Sequence, residues 1–163
     1  MADLYVASTG SNTAPYDTWA KAATAPLTAT AAAAAGDTIY QHAETFVITA
    51  DAIYAMAAGV RWLCTNDKAH EPPQILSTGG VIDGSATNGV DITVNGGPAY
   101  VYGLTFKVGG SGTTGLIAFA NTDLDSITLD SCLFNVSGTG SSSYVIFGSV
   151  SVTRAECRLL NCS

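Results

Sequence analysis

The chain has 163 residues and a mass of 16.6 kDa, enough for one domain with a core and too little for two. Only 12% of residues are charged, about half the roughly 25% usual for soluble domains, while 47% are hydrophobic, which excludes a wholly disordered chain. A formal net charge of −7 and a sequence pI of about 4.4 set the protein against a phosphate backbone, so nucleic-acid binding is not expected.

The chain opens on a short strand candidate, Leu4 to Val6, followed by a Gly/Ser/Asn/Pro turn from Gly10 to Pro15. An alanine-rich stretch runs from Thr18 to Ala35. Alanine favours helix, Pro26 suits the first position of a helical segment with Thr24 or Ala25 before it, and Gly36 suits the C′ position that ends it. The start has neither a basic n-region nor an apolar h-region, so with Met1 native the expectation is a protein made in a cytoplasm and kept there or freed by lysis. No apolar run approaches the roughly 20 residues of a membrane span, and no membrane partner is expected. In such a compartment the four cysteines read first as small buried hydrophobes.

From residue 37 the texture changes to Val, Ile, Tyr, Phe and Thr in short runs broken by glycine, the pattern of many short strands. These runs repeat. Gly89-Val90-Asp91-Ile92-Thr93-Val94-Asn95 matches Gly115-Leu116-Ile117-Ala118-Phe119-Ala120-Asn121 at a spacing of 26 residues. Ser143-Tyr144-Val145-Ile146-Phe147-Gly148-Ser149 follows 28 residues later, and weaker copies begin at Gly36 and Gly59. Behind them a second run recurs: Ala99 to Phe106 aligns with Ile127 to Phe134, and that with Val152 to Leu159. In Val101, Leu104, Phe106 and in Leu129, Cys132, Phe134 the apolar parity changes, so the chain turns a corner there. Strand, corner and strand repeating every 25 to 30 residues describe a parallel β-solenoid of about five coils, beginning near residues 36, 59, 89, 115 and 143. An antiparallel sandwich also has many short strands, but it needs no registered repeat.

The N-terminal segment resembles the cap of the right-handed parallel β-helix (pectate-lyase-like) superfamily. The resemblance rests on Leu4-Tyr5-Val6, the following turn, Trp19-Ala20-Lys21-Ala22, a helix, and Gly36-Asp37-Thr38-Ile39-Tyr40 leading to Thr45-Phe46. Gln41 stands where that pattern usually has an apolar residue, and Ala43-Glu44 where a glycine is common. The resemblance implies an all-β fold, a right-handed parallel β-helix, with residues 1–35 as a strand and capping helix and residues 36–163 as coils. The last residues, Leu159-Leu160-Asn161-Cys162-Ser163, fall inside a coil, so the chain is expected either to continue or to be covered by a partner.

Enzymes of the superfamily that cleave acidic polysaccharides use Arg or Lys bases, often with acidic Ca²⁺ ligands. Here Lys21, Arg61, Lys68, Lys107, Arg154 and Arg158 occupy no equivalent places on adjacent coils. Acidic candidates are Asp83, Asp91, Asp123, Asp125 and Asp130, and a solvated turn explains Asp123-Leu124-Asp125 better than a cation site. The stretch Asn66-Asp67-Lys68-Ala69-His70-Glu71-Pro72-Pro73 is the longest loop candidate, a solvated connection or a binding loop; His42 has no evident partner. Gly110 to Gly115 matches G-x-G-x-x-G but leads into a strand, so no helix dipole would hold a phosphate. No catalytic residue, metal ligand or cofactor is expected.

Two features remain. Cys132 and Cys157 align on adjacent coils about 4.8 Å apart, which allows a disulfide, although a reduced interior thiol ladder is the favoured state. By the same alignment Ile117, Phe119, Val145 and Phe147 match the outward residues Asp91 and Thr93, giving an exterior apolar strip and a candidate subunit interface. The expected function is a non-enzymatic structural protein of a bacteriophage particle, a rigid module that decorates or reinforces a capsid or joins a tail fibre or spike. Its partners would be other virion proteins and its own copies, in a homo-oligomer that the fold's habits suggest is a trimer, with a surface glycan as a further candidate. The alternative is a polysaccharide lyase, hydrolase or carbohydrate-binding fragment of the same superfamily.

Overall fold

The computed structural model describes residues 1–109, 114–119, 126–137, 144–147 and 155–163. Most of Gly110–Gly115, Asp123, Asp125, Ser143, Gly148, Ser149 and Val152–Arg154 lie outside the described residues.

The described residues are mostly strand, with three parallel sheets and one short helix among them. The first strand, β1 (Asp3–Val6), pairs with β2 (Thr38–His42), and the helix α1 (Pro26–Ala32) lies between them in sequence. There follow β3 (Thr45–Val47), β4 (Ala52–Met56), β5 (Arg61–Thr65), β6 (Gly80–Asp83), β7 (Ile92–Gly96), β8 (Ala99–Tyr102) and β9 (Leu104–Val108). The remaining strands are β10 (Leu116–Phe119), β11 (Ser126–Asp130), β12 (Leu133–Val136), β13 (Tyr144–Phe147) and β14 (Glu156–Leu160). A six-stranded sheet runs β1-β2-β5-β8-β11-β14, and two four-stranded sheets run β12-β9-β6-β3 and β13-β10-β7-β4. From β2 to β13 the chain visits the three sheets in turn, four times over.

The helix starts as the sequence predicts, with Pro26 in its first turn and Ala25 as N-cap in extended conformation. It ends sooner than Gly36, at the extended Ala33, whose N–H donates to the Ala29 carbonyl. The alanines before it are not helical. Ala23 N–H donates to the Tyr5 carbonyl at 2.8 Å and its carbonyl accepts from Ala7 N–H at 3.0 Å. That bridge to β1 draws the segment out of the helix its propensity favours.

The interior is a set of registered side-chain ladders. In the large sheet Leu4, Ile39, Trp62, Val101, Leu129 and Leu159 stand in line. A second ladder is Phe46, Ile82, Phe106 and Phe134, and a third is Tyr54, Val94, Phe119 and Phe147. Aromatic rings meet across the core, Tyr54 with Trp62 at 5.2 Å, Trp62 with Phe106 at 6.2 Å and Phe106 with Phe119 at 5.2 Å. Gln41 is fully buried, and its Oε1 accepts from the Trp62 indole N–H at 3.0 Å, which gives a polar side chain a place inside.

The corner predicted after Val101 and Leu129 is made by left-handed backbone. Gly103 (φ 72°) and Ser131 (φ 53°) stand one above the other, because Tyr102 pairs with Asp130. Asn161 (φ 52°) occupies the same place after Leu160, the partner of Asp130. Serine and asparagine tolerate the conformation at those two corners, but a Cβ at Gly103 would sit 2.3 Å from the Ser77 carbonyl oxygen. Gly103→Ala is therefore expected to destabilise the protein by roughly 3 kcal/mol, strain and clash together. Urea denaturation measures it, and a loss under about 1 kcal/mol would contradict the close approach.

Candidate functional site

The outer face of the large sheet carries a second apolar cluster, Tyr5, Ala7, Trp19, Ala22, Tyr40 and Leu63, with Tyr100 and Tyr102 packed against it. Register explains it: Tyr5, Tyr40, Leu63, Tyr102, Asp130 and Leu160 form one ladder, outside the interior one. Tyr100 donates its hydroxyl proton to Asp130 Oδ2 at 2.8 Å, and Ser131 Oγ and Asn161 Nδ2 also donate to that carboxylate. Burial and the neighbouring Asp130 push the Tyr100 phenol well above its ordinary range, while the Tyr100 hydroxyl holds Asp130 below its own.

Two loops clasp the upper part of this face, and the Asn66–Pro73 stretch is one of them. Trp19 N–H donates to Glu71 Oε1 at 2.5 Å and its indole N–H to the His70 carbonyl at 3.2 Å. Lys68 lies 6.0 Å from the Trp19 ring centre and donates to Thr9 Oγ1. The loop is built on Asp67, whose carboxylate accepts from Ala69 N–H, Gln74 N–H and the His70 Nδ1. The Gln74 N–H first, and then His70, hold Asp67 below the ordinary carboxylate value of 3.8. A depressed folded pKa gives stability that is present above the unfolded value and lost as pH falls through the folded one. The Ala69 and Gln74 amide resonances should therefore titrate with a midpoint below 3.8, and Asp67→Asn should abolish that titration. A midpoint at or above the ordinary value in an NMR titration counts against this account of the loop.

His42 does find a neighbour. Its Nδ1 lies 3.6 Å from Glu44 Oε1, too long for a hydrogen bond, and its ring lies edge-on to Trp19 at 6.2 Å. Burial and then Lys68 lower its pKa against the opposing pull of Glu44. Ser8 donates its hydroxyl proton to Glu44 Oε2 at 2.5 Å and its N–H to Glu44 Oε1 at 2.8 Å. Among the described basic residues none adjoins another in a ladder: Arg61 and Arg158 are separated by Tyr100 and Thr128, and Lys107 lies between Asp83 and Asn135. Lys107 Nζ is paired with Asp83 at 3.1 Å, and Asp91 accepts from Leu116 N–H at 2.8 Å. No group of three metal-ligating side chains occurs among the described residues.

The structure moves the predicted interface strip. Ile117 and Phe119 are fully buried, because Ile117 pairs with Ile92 and Phe119 with Val94, not with Asp91 and Thr93. Alignment on Gly89 and Gly115 puts the two runs one residue out of step, and in a strand one residue exchanges the faces. Val145 and Phe147 do stack on Ile117 and Phe119, on the inner side, where Phe147 is 42% exposed only because its strand is the last of its sheet. The proposed cysteine pair moves too. Cys157 pairs with Ile127, so it does not face Cys132, and all four cysteines are free thiols. The signal that could have set this register is Asn161, a residue suited to the left-handed corner that Gly103 and Ser131 occupy.

In place of the predicted flank strip, exposed apolar side chains gather at one end, with others at Val47, Ile53, Ile75 and Leu76. Leu133, Tyr144, Phe147, Leu159 and Leu160 are between 42% and 52% exposed, and all lie on β12, β13 and β14. These are the last strands of the three sheets, and their outer edges pair with no strand among the described residues. At the opposite end β1 covers β2 and α1 packs on β4, while β3 is the open edge of its sheet. No helix among the described residues is long and apolar enough to cross a membrane. No family model, curated protein or solved structure matches the chain.

Proposed function

We propose that the three sheets are the faces of a right-handed parallel β-helix, and that the protein is a non-enzymatic structural module of a bacteriophage particle, joined to its partners through the end formed by β12, β13 and β14. The observation that carries this reading is the difference between the two ends. At one, β1 covers β2 and α1 packs on β4, leaving β3 as the open edge; at the other, all three strand edges lack a partner among the described residues and five half-exposed apolar side chains gather. Such an end suits stacking against another subunit, and the resemblance of residues 4–46 to the cap of virion β-helices supplies the setting. A body held by backbone ladders and packed rings, with little charge, suits a rigid part of a shell, fibre or spike.

Light scattering after size exclusion, sedimentation with assembled particles and incubation with polygalacturonate test this together. An oligomer that travels with particles and leaves the polysaccharide intact is expected. A monomer that releases unsaturated sugars would overturn it. One observation favours the second reading, a carbohydrate-binding fragment: the half-buried Tyr100 and Tyr102 at the margin of the outer cluster offer flat rings on which sugars could stack. Glycan-array binding without turnover would select that reading instead.

A further inference from the structure

The register that separates Cys132 from Cys157 brings another cysteine to it. Ser131 N–H donates to the Leu160 carbonyl at 2.9 Å, Ser163 N–H to the Cys132 carbonyl at 3.1 Å, and Phe134 N–H to the Ser163 carbonyl at 2.8 Å. These three bonds continue the parallel ladder of β11 and β14 through the corner, so that Cys132 and Cys162 stand directly opposite one another. Adjacent parallel strands lie about 4.8 Å apart, inside the roughly 4.4–6.8 Å between Cα atoms that a disulfide spans.

The two sulfurs also occupy equivalent places. Cys132 Sγ lies 3.4 Å from the carbonyl oxygen of Asp130 and 3.8 Å from that of Val101, one strand away. Cys162 Sγ lies 3.3 Å from the carbonyl oxygen of Leu160 and 3.4 Å from that of Leu129, again one strand away. Both side chains belong to the interior, Cys132 fully buried and Cys162 partly so at its margin. The approach to Cys162 is open enough for a small reagent, and Cys132 waits behind it.

We propose that Cys132 and Cys162 are a redox pair that closes to an intramolecular disulfide when the protein meets a small-molecule disulfide. Cys162, the more exposed, gives up its proton and attacks one sulfur of oxidised glutathione; that S–S bond breaks and one glutathione thiolate leaves. Cys132 then loses its proton and attacks the Cys162 sulfur, forming the protein S–S bond and expelling the second glutathione thiolate. Two protein thiols lose two electrons and two protons, and one glutathione disulfide becomes two thiols. Burial pushes the Cys132 thiol up to about 12, so closure, and not the first attack, is the slow step. The bond would tie the last strand to the corner above it.

The test is to incubate the native full chain with oxidised glutathione, block remaining thiols after denaturation, and map the cross-link by mass spectrometry of peptides. The expected result is a Cys132–Cys162 peptide, retained in Cys157→Ser and lost in Cys162→Ser, with slower hydrogen exchange at the Phe134 and Ser163 amides after oxidation. A Cys157–Cys162 peptide, a glutathione adduct that never closes, or four blockable thiols would each overturn the proposal. Circular dichroism of both variants shows that they are folded when tested.

Discussion

Phe106→Ala is expected to be among the most damaging single truncations in the molecule, costing about 3–5 kcal/mol. Phe106 is fully buried in the middle of its ladder, with Ile82 on one side and Phe134 on the other. Its ring also meets Trp62 at 6.2 Å and Phe119 at 5.2 Å on the other two sheets. Like Trp62, which meets Tyr54 and Phe106, it is a side chain through which all three sheets touch. Removing it opens a cavity that parallel strands, pinned by hydrogen bonds on both sides, cannot close by collapsing. Since native domains are stable by only about 5–15 kcal/mol, the variant should unfold at markedly lower urea concentration or fail to accumulate. Phe106→Leu, which keeps most of the volume, should lose about half as much. Equal transitions for the alanine variant and the parent would mean that the core is not packed around this ring.

Ile117→Asp separates the inner position from the outer one. With Ile117 paired to Ile92 and Val145 and wholly inside, a carboxylate there has no partner and no water, and the cost is several kcal/mol. The expected result is loss of the folded state, seen as a collapsed unfolding transition by circular dichroism. Leu116→Ser, one residue earlier and half-buried, should cost no more than about 1 kcal/mol. If Ile117 instead lay on an outer interface, the aspartate would leave the transition in place and change only the association state. The pair of variants thus reads the strand's orientation directly.

The same strand shows where the sequence is legible and where it is not. The existence and repetition of the strands could be read because short β-rich runs recur at nearly constant spacing, and the corner could be read because apolar parity changes after Val101 and Leu129. The alternation Val90, Ile92, Val94 inward and Asp91, Thr93 outward is what the burial shows. Register was harder. The spacing between paired strands varies from repeat to repeat, and glycine is a poor anchor: Gly89 has a left-handed backbone (φ 75°), whereas Gly115 is not among the left-handed glycines. Treating the two as equivalent turned β10 inside out. The cysteines misled in the same way, since aligning Cys132 with Cys157 satisfies the local pattern and ignores Asn161. The clasp of Trp19 by the Asp67 loop was illegible for another reason, because its hydrogen bonds join residues about 50 positions apart and leave no periodic trace.

All three sheets are paired in parallel, and this has a consequence for how the molecule comes into being. Partners in the ladders are separated by 23 residues at the least, from Thr38 to Arg61, and by 40 at the most, from Ala52 to Ile92. Among the described residues no two strands form a hairpin, so each new stretch gains its ladder bonds by laying itself on one already in place. Assembly then spreads strand by strand from whichever pair forms first, each coil serving as template for the next. Mechanical load applied at Ser163 should undo the ladders from that end, peeling β14 first and sparing the α1 end until last.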